Sequence, residues 1–461
     1  MCNLAANLEA MKVSSVNPWN LKVIEEFNVH SIEETDSVIQ DVNDAFYEWR
    51  TTSFSERSRL FNAASDVLVK NKNKYAQHIT SEMGKPIVES LAEVEKCAWV
   101  CRFYAENAES FLQPKEIETD AQRSFVKYDP LGVIYAIMPW NFPFWQVFRF
   151  AAPTLMAGNV GILKHALNVT RCALDIEEVF VEAGFPQNVF RTLILDNDHA
   201  SKVIEHPMIK AVSLTGSERA GVAVASIAGA SLKPSLLELG GSNAVIVLKD
   251  ADVDQAVDTG FKARFLNTGQ SCIAGKRFLV ADEVFDEYVE KFNAKVRELK
   301  FNEPTDSSTR IGPLARVDLA EGIERQVNDS IEKGARLLTG GTRDGAKYDP
   351  TVLVDVEPGM AAFDEELFGP VAPFIRIQDL DEAIDLSNDS NYGLGVTICT
   401  GDTDAILERV GEFEEGAVFI NEFVKSDPRL PFGGITNSGY GRELALEGIL
   451  EFVNAKTVYV K

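Results

Sequence analysis

Two short segments of the sequence carry a thiol and a carboxylate in settings that suit covalent catalysis. Cys272 ends the tetrapeptide Gly-Gln-Ser-Cys, whose small and polar residues leave space above the sulfur. Glu238 begins the tetrapeptide Glu-Leu-Gly-Gly further upstream. A thiolate is an effective nucleophile, and a nearby carboxylate can serve as the base that activates water. An isolated cysteine is more often an inert buried thiol, so Cys272 is a candidate nucleophile only because of the residues around it.

The overall composition excludes several classes of protein. The chain has 461 residues, of which 45% are hydrophobic and 25% charged, as expected for two or three packed units. Its net charge of −25 repels nucleic acids and anionic lipids, so we expect neither a nucleic-acid nor a membrane partner. No apolar run approaches the ~18 residues of a membrane helix. An anionic ligand would therefore need a local cationic pocket.

The cysteines and the N-terminal residues predict a cytoplasmic protein without a metal site. Six cysteines without a paired framework suggest a reducing compartment, and residues 1–11 lack the apolar core of a signal peptide. Cys97 and Cys101 lie one helical turn apart and could resemble metal ligands. None of the five histidines adjoins them, so two buried helix thiols are the better interpretation.

The elements that position Cys272 and Glu238 follow an alternating pattern. Apolar runs separated by helical patterns are typical of a parallel sheet with crossover helices, and hence of an α/β fold. In the first unit, strands are predicted at residues 133–137, 159–163, 189–195 and 209–214. In the second unit, strands are predicted at residues 244–248, 277–280, 336–339, 351–354, 396–400 and 416–420. The change of unit near residue 240 places both reactive residues at the cleft between the units.

The remaining segments are predicted to be an arm, a helical region and an exposed ribbon. Residues 1–30 are typical of an irregular or extended arm, whereas residues 31–109 are helical, with a capping box that begins at Ser31. Residues 111–130 alternate with period two, and residues 456–461 alternate again. Pairing of this ribbon with the tail would favour a homodimer or homotetramer formed by strand addition.

A phosphate site is one of two interpretations of the turn that follows the strand at residues 209–214. Thr215, Gly216 and Ser217 open a helix, where free backbone amides and the helix dipole favour an anion. Neither a G-x-G-x-x-G fingerprint nor a Walker lysine occurs there. The spacing alone fits an ordinary strand-to-helix turn equally well.

Six segments in the same order resemble the aldehyde dehydrogenase superfamily over nearly the whole chain. They are Met-Pro-Trp-Asn-Phe-Pro at 138–143, Thr-Gly-Ser at 215–217, the tetrapeptides at 238–241 and 269–272, Glu-Glu-Leu-Phe-Gly-Pro at 365–370, and Pro-Phe-Gly-Gly at 431–434. The resemblance implies a Rossmann-type cofactor domain, an α/β catalytic domain and a small β oligomerisation element. These would comprise residues 1–110 with 131–240, residues 241–440, and residues 111–130 with 441–461.

The resemblance also implies a reaction and a role for each reactive residue. Cys272 would attack the aldehyde carbon to give a thiohemiacetal, while the Asn141 amide and the Cys272 backbone N–H hold the oxyanion. After hydride transfer to nicotinamide, Glu238 would activate the water that hydrolyses the thioester. Enzymes that acylate coenzyme A tend to lack this glutamate, so a free carboxylic acid is the expected product.

Cofactor contacts follow from the same resemblance. Ser217 and its turn would face the pyrophosphate, Lys164 the adenosine ribose, and Glu366 with Phe368 the nicotinamide side. Further implied contacts are Pro139, Trp140, Thr215, Gly216, Leu239 and His165. His165 could be a second phosphate contact, although a half-exposed histidine in the place of a proline explains it better.

One position favours NADP over NAD. Relatives that prefer NAD often carry a glutamate three residues beyond the lysine that corresponds to Lys164, and Leu167 stands there in this chain. Loss of that acid removes repulsion against a 2′-phosphate, with which Lys164 can pair. We therefore expect NADP to be at least as good a cofactor as NAD.

The substrate pattern resembles that of succinate-semialdehyde dehydrogenases. Arg149 lies eight positions beyond Asn141, and Ser426 ends an Asn-Glu-x-x-x-Ser stretch. An arginine fork and a hydroxyl suit the distal carboxylate of a short semialdehyde, while Trp145 and Phe432 would line the tunnel. Three alternatives remain open at this stage. Arg149 could be a helix arginine in a salt bridge, the aromatic residues could be core, or the pocket could take aliphatic or sugar-derived aldehydes broadly, since some relatives have a further arginine where this chain has a leucine.

Two other classes of protein compete with this interpretation. A cysteine hydrolase or acyltransferase usually needs a histidine to deprotonate its thiol, and none lies in the Cys272 or Glu238 segment. A non-catalytic dinucleotide-binding protein of the same fold would have no reason to keep Cys272, Glu238 and Asn141 together.

Overall fold

The computed structural model describes residues 11–461 and begins with a β-hairpin followed by four helices. The elements of this part are β1 (Lys12–Val16), β2 (Val23–Asn28), α1 (Ile32–Trp49), α2 (Phe54–Lys70), α3 (Lys72–Met83) and α4 (Ile87–Phe111). The predicted capping box is confirmed, because Ser31 and Glu34 exchange side-chain and backbone hydrogen bonds at the start of α1. Of the two alternatives predicted for the arm, irregular or extended, residues 12–28 take the extended one, with β1 and β2 paired antiparallel in a hairpin that was not predicted.

The middle of the chain builds a ribbon and then a parallel sheet. Its elements are β3 (Lys115–Glu116), β4 (Arg123–Pro130), β5 (Val133–Met138), α5 (Trp145–Met156), β6 (Val160–His165), α6 (Thr170–Glu182), β7 (Phe190–Thr192), α7 (Asn197–Glu205), β8 (Ile209–Thr215), α8 (Glu218–Ala230) and β9 (Ser235–Glu238). The strand order β9-β8-β5-β6-β7 is parallel throughout and confirms the Rossmann-type alternation. Glu238 is the last residue of β9.

The last part of the chain forms the second α/β unit. Its elements are β10 (Asn243–Val247), α9 (Val253–Phe265), β11 (Gly275–Ala281), α10 (Asp282–Glu298), α11 (Val317–Glu332), β12 (Arg336–Thr339), β13 (Arg343–Asp344), β14 (Lys347–Tyr348), β15 (Thr351–Val354), α12 (Ala361–Asp364), β16 (Val371–Ile377), α13 (Leu380–Asn388), β17 (Tyr392–Gly393), β18 (Val396–Cys399), α14 (Thr403–Arg409), β19 (Val418–Ile420), β20 (Ile435–Thr436), β21 (Gly439–Tyr440), α15 (Ala445–Leu450) and β22 (Val453–Val460). A seven-stranded sheet has the order β12-β15-β16-β11-β10-β18-β19, and β21 adds an antiparallel edge to the first sheet.

Strand β10 shows why the second sheet is buried on both faces. Val245 and Val247 belong to one apolar cluster, whereas Ala244 and Ile246 belong to another on the opposite face. Alternate side chains of a strand point to opposite faces of the sheet. A strand made of consecutive apolar residues therefore keeps all of them from water only if both faces of the sheet are covered by other elements. The central strands thus hold the segments at their ends rigidly, including the one that carries Cys272.

The predicted pairing of ribbon and tail is confirmed. Strand β22 runs antiparallel to β4 over eight residue pairs, from Val453 opposite Pro130 to Val460 opposite Arg123. Strand β3 lies on the other side of β4 and completes a three-stranded sheet whose outer edge is β22. Within residues 11–461, no helix is both long and apolar enough to cross a membrane.

Candidate active site

The loop that carries Cys272 has an unusual backbone conformation held by buried hydrogen bonds. It leaves α9 through a short 3₁₀ turn in which Asn267 and Thr268 adopt positive φ angles of 54° and 55°. The Asn267 side-chain Nδ2 donates to the carbonyl oxygen of Asn141 (2.7 Å), and its backbone N–H donates to Glu89 Oε2 (2.7 Å). Left-handed backbone costs free energy at non-glycine residues, so these bonds fix the loop geometry.

Asn141 lies against this loop with one amide proton still free. Its Nδ2 donates to the carbonyl oxygen of Gln270 (3.2 Å), and the residue is only 4% exposed. A side-chain amide has two N–H donors, and within residues 11–461 only this one hydrogen bond from the Asn141 amide nitrogen is formed. The structure therefore brings Asn141 to the loop that carries the predicted nucleophile.

Cys272 is half-buried, and its sulfur borders a cavity of about 380 Å³. Burial raises the pKa of the thiol to about 11, and the Glu238 charge acts in the same direction. Arg149 and Lys276 oppose this shift. The Lys276 ammonium also donates to the Cys272 carbonyl oxygen (3.1 Å), which fixes the backbone beside the sulfur.

Glu238 is buried at the end of β9 with neither carboxylate oxygen in a hydrogen bond to residues 11–461. Burial raises the pKa of Glu238 well above its ordinary value, Arg149 counteracts this and Glu443 adds to it. Gly433 has a φ of +154°, and a Cβ there would lie 2.7 Å from Glu238 Oε1, so only glycine leaves room for the carboxylate. Burial thus makes the Glu238 carboxylate a stronger proton acceptor than an exposed glutamate.

The four predicted substrate residues all border the cavity beside Cys272. Trp145, Arg149, Ser426 and Phe432 contribute to its wall, together with Lys96 from α4. The exposed lining is largely apolar, and the charged side chains on it are the cations Lys96, Arg149, Arg310 and Lys425 and the acids Glu89 and Glu93. An apolar cavity with a few polar and charged groups on its wall suits a small organic ligand.

Arg149 is present in the wall but is already paired. Its Nε forms a short ion pair with Glu443 Oε2, and the two side chains are 1% and 4% exposed. The guanidinium lies 4.5 Å from the centre of the Phe432 ring, and NH2 donates to Thr215 Oγ1 (3.4 Å). Arg149 is thus a salt-bridged helix arginine, as in the alternative interpretation, yet it lies inside the site.

The turn after β8 has the shape of a phosphate-binding helix start. Ser217 caps α8 by accepting a hydrogen bond from the Ala220 N–H (3.3 Å), and Gly216 N–H donates to the Glu238 carbonyl oxygen (2.9 Å). Thr215 ends β8 at the same edge of the sheet. The first N–H groups of a helix lack intrahelical partners, so this turn fits a dinucleotide pyrophosphate.

Lys164 lies near this turn with no acidic partner. Its Nζ donates to Asn197 Oδ1 (3.2 Å), and within residues 11–461 it forms no ion pair. Burial lowers the pKa of Lys164, although Asp196 acts in the opposite direction. Leu167 begins the 3₁₀ turn that follows, so no carboxylate stands three residues beyond the lysine. A cation in this setting fits an anionic group of the cofactor.

Both expectations for His165 were wrong, since it is neither a phosphate contact nor half-exposed. His165 is 4% exposed, its Nε2 donates to the Pro143 carbonyl oxygen (2.9 Å), and its Nδ1 accepts from the Ala166 N–H (2.9 Å). Burial lowers the pKa of His165 to about 4, so the ring is neutral at physiological pH. Both ring nitrogens serve the backbone and neither can meet a phosphate.

The residues predicted on the nicotinamide side include Glu366, which forms an ion pair with the buried Lys276. Glu366 also accepts a hydrogen bond from the Gly241 N–H (3.0 Å). The rings of Trp140 and Phe368 meet edge to face with centroids 5.7 Å apart. The neighbouring predicted contacts are Pro139, which directly follows β5, and Leu239, whose N–H donates to the Ser438 carbonyl oxygen (2.9 Å).

A family comparison agrees with this geometry. Residues 6–458 match the model of the aldehyde dehydrogenase family. The chain belongs to the aldehyde dehydrogenase family. It is therefore an NAD(P)-dependent oxidoreductase that acts on aldehydes.

Several relatives of this dehydrogenase are similar over their full length. A probable succinate-semialdehyde dehydrogenase [NADP(+)] of Synechocystis is 47% identical over 453 residues, which cover 98% of this chain and 100% of the relative. Succinate-semialdehyde dehydrogenase [NADP(+)] 1 of Mycobacterium bovis is 43% identical, with coverages of 98% and 100%. The crystal structure of succinic semialdehyde dehydrogenase from Streptococcus pyogenes with NADP⁺ has a TM-score of 0.95 and 34% identity, covering 97% of this chain and 99% of that one.

Four charged residues of the dehydrogenase site were missed by sequence reasoning. Glu443 pairs with Arg149, Lys276 with Glu366, and Lys96 borders the cavity, while Glu89 holds the catalytic loop. Each of the four lies in a sequence segment that has the ordinary pattern of a helix, a strand or the C-terminal tail, and such a pattern does not mark a residue as part of a site. Only Lys276 offered a sequence signal, since a lysine four positions beyond the cysteine enters an otherwise buried strand.

The raised pKa of Cys272 predicts a steep pH dependence of alkylation in the free dehydrogenase. With a pKa of about 11, only about one thiol in a thousand is ionised at pH 8, so reaction with iodoacetamide should quicken about tenfold per pH unit from pH 7 to 10. The measurement is the rate of activity loss at each pH, with a small-molecule thiol as reference. A rate that levels off below pH 8.5 would contradict the burial effect.

Proposed function

We propose that this dehydrogenase oxidises succinate semialdehyde to succinate with NADP. The observation that carries the proposal is a largely apolar cavity with Cys272 on its wall and a small group of cationic and hydroxyl side chains beside it. A four-carbon semialdehyde has a reactive carbonyl at one end, which can meet Cys272, and a carboxylate at the other, which can meet the cationic and hydroxyl side chains. The names of the Synechocystis and Mycobacterium relatives support the same substrate and cofactor.

The first half of the reaction is assigned to the loop around Cys272. The thiolate attacks the aldehyde carbon, forming a carbon–sulfur bond and placing negative charge on the former carbonyl oxygen. The free amide proton of Asn141 and the Cys272 backbone N–H are the donors for that oxygen. The left-handed turn at Asn267 holds both donors in place before the substrate arrives.

The second half of the reaction is assigned to Glu238. Bound NADP supplies the hydride acceptor that converts the thiohemiacetal into a thioester. The unpaired Glu238 carboxylate then takes a proton from water, which attacks the thioester carbon and releases succinate and the thiol. Because this acid is present and buried beside the site, hydrolysis is favoured over transfer of the acyl group to coenzyme A.

NADP is assigned to the turn after β8 and to Lys164. Ser217 and its neighbouring N–H groups would hold the pyrophosphate, while the Lys164 ammonium, free of acidic partners, would meet the 2′-phosphate. Leu167 adds no repelling charge. His165 has no part in this contact.

The test of the proposed function is a kcat/KM panel of succinate semialdehyde, butanal, benzaldehyde and glyceraldehyde with NADP and with NAD. Succinate semialdehyde should exceed butanal, its neutral four-carbon analogue, by at least about 30-fold, since truncating one partner of a buried charged contact costs roughly 2 kcal/mol or more. NADP should be at least as effective as NAD. Equal rates with all four aldehydes would indicate a broad-specificity enzyme, and a clear NAD preference would overturn the cofactor assignment.

We further propose that the protein is a cytoplasmic homo-oligomer. The free edge of β22 ends in Tyr459 and Val460, which are 52% and 42% exposed, and an unpaired strand edge favours strand addition. All cysteines among residues 11–461 are free thiols, in keeping with a reducing compartment. Light scattering coupled to size exclusion should give a dimer or tetramer mass, and a monomer would refute the assembly.

A further inference from the structure

Two carboxylates of α4 reach the two segments that carry the oxyanion donors. Glu89 and Glu93 are four positions apart, so they lie on the same side of the helix, one turn from each other. Glu89 Oε2 accepts a hydrogen bond from the Asn267 N–H (2.7 Å), in the loop that leads to Cys272. Glu93 Oε1 accepts hydrogen bonds from two N–H groups at the start of α5 (2.8 and 3.0 Å), just after Asn141.

The contacts of Glu93 fix α4 against the segment that carries Asn141. Its second carboxylate oxygen forms a short ion pair with Lys85, and both side chains are buried. The Lys85 ammonium lies 3.8 Å from the centre of the Phe142 ring, and Phe142 directly follows Asn141 in the chain. One turn further towards the start of α4, Glu89 is therefore held at a fixed place relative to Asn141.

The turn that Glu89 contacts needs support at both ends. Asn267, Thr268 and Gly269 have φ angles of 54°, 55° and 76°, and left-handed backbone is rare for a β-branched residue such as threonine. At the far end, Arg264 NH2 donates to the Gly269 carbonyl oxygen (2.8 Å). At the near end, Glu89 accepts from the Asn267 N–H. The two side chains together hold a conformation that the turn would otherwise leave.

The Asn267 side chain links this turn to both oxyanion donors. Its Nδ2 donates to the carbonyl oxygens of Asn141 (2.7 Å) and Gln270 (3.0 Å). The Asn141 amide donates to the same Gln270 oxygen (3.2 Å). Cys272 follows two residues after Gln270. The position of the Asn267 backbone thus sets the spacing between the Asn141 amide and the Cys272 N–H.

We propose that Glu89 is a positioning residue for the oxyanion donors, because it holds the first residue of the left-handed turn through its backbone N–H. The proposal rests on the proposed function, in which Asn141 and the Cys272 N–H stabilise the oxyanion. Burial raises the pKa of Glu89 to about 7, and the hydrogen bond from Asn267 opposes this shift. Both the charged and the neutral carboxyl keep an oxygen that can accept, so the role requires an acceptor rather than a charge.

Glu89→Leu tests this proposal, since leucine occupies a similar volume without an acceptor. The first-turnover rate of NADPH formation at saturating aldehyde should fall about 100-fold, because misplaced donors stabilise the oxyanion poorly. The loss should be equal for succinate semialdehyde and butanal, since both develop the same oxyanion, and kcat should fall together with kcat/KM. Alkylation of Cys272 by iodoacetamide forms no oxyanion, so its rate at pH 9 should stay within about threefold of wild type.

Three comparison variants of α4 separate the acceptor from charge and packing. Glu89→Gln keeps an acceptor oxygen and should retain at least about a third of the wild-type first-turnover rate. Glu89 is half-buried on the cavity wall, so Glu89→Ala widens an existing space and should lower this rate at least about tenfold, even if leucine disturbs folding. Glu95→Leu removes an exposed acid that pairs with Lys72 on the same helix, and should keep wild-type activity.

Asn141→Ala distinguishes failure of this proposal from failure of the proposed function. It removes a donor itself and should slow the first turnover roughly 10²-fold. If Asn141→Ala is slow while Glu89→Leu and Glu89→Ala lose less than about tenfold, the proposed function stands and the role of Glu89 is refuted. An equal loss in Glu89→Gln, or an equal fall in Cys272 alkylation, also refutes it. A wild-type rate in Asn141→Ala overturns the donor assignment of the proposed function, and the role of Glu89 with it.

Discussion

Replacing Cys272 with alanine is expected to lower kcat/KM for aldehyde oxidation by roughly 10⁵-fold, because the nucleophile has no substitute in the site. The sulfur is half-buried at the edge of a cavity, so its loss creates no sealed void and should leave the melting temperature nearly unchanged. The measurement is the formation of reduced cofactor under saturating aldehyde, together with a thermal melting curve.

A second cysteine provides the control for this variant. Cys399 lies in β18, is 3% exposed and is remote from the cavity lining. Cys399→Ala should lose some thermal stability through a small core cavity yet keep its activity. If Cys272→Ala keeps more than one per cent of wild-type activity, another group performs the attack.

Glu238→Gln is expected to separate the two halves of the reaction. Glutamine matches the size of glutamate, so it fits against Gly433 without displacing the backbone. Without the base, steady-state turnover should fall roughly 10²–10⁴-fold, while the first turnover proceeds. Rapid mixing should then show a burst of reduced cofactor equal to the enzyme concentration, followed by a slow phase.

Chemical rescue controls for an indirect effect of the Glu238 substitution. Hydroxylamine attacks a thioester without help from a protein base, so it should restore turnover of Glu238→Gln and change the wild type little. If the variant shows neither the burst nor the slow phase, Glu238 is needed for a step that precedes thioester formation. That result would contradict its role in hydrolysis.

The sequence predicted those parts of the fold that depend on local pattern. The apolar run of β10 and the capping box at Ser31 are visible within a few residues, because strand burial and helix capping are short-range effects. The strands predicted at residues 336–339 and 351–354 coincide with β12 and β15. The N-terminal hairpin was missed because β1 and β2 carry too little alternation to distinguish a paired strand from an extended arm.

The pairing of charges inside the site could not be predicted, because it depends on contacts between distant segments. The Arg149–Glu443 pair joins α5 to the segment before α15, and Lys96 meets Ser426 across more than 300 positions of chain. The burial of His165 has the same origin in part, since its Nε2 donates to the Pro143 carbonyl oxygen in the turn after β5, whereas its other partner is the N–H of the next residue, Ala166. Motifs located the site, but only the fold shows which of its charges are free.

The measurement that tests the central claim most directly is mass spectrometry of Glu238→Gln quenched in acid shortly after mixing with NADP and succinate semialdehyde. Peptide mapping should find one succinyl group per chain, bound to the peptide that contains Cys272. An unmodified Cys272 peptide after the burst, or a succinyl group on another cysteine, would contradict the assignment of nucleophile and base to these two residues.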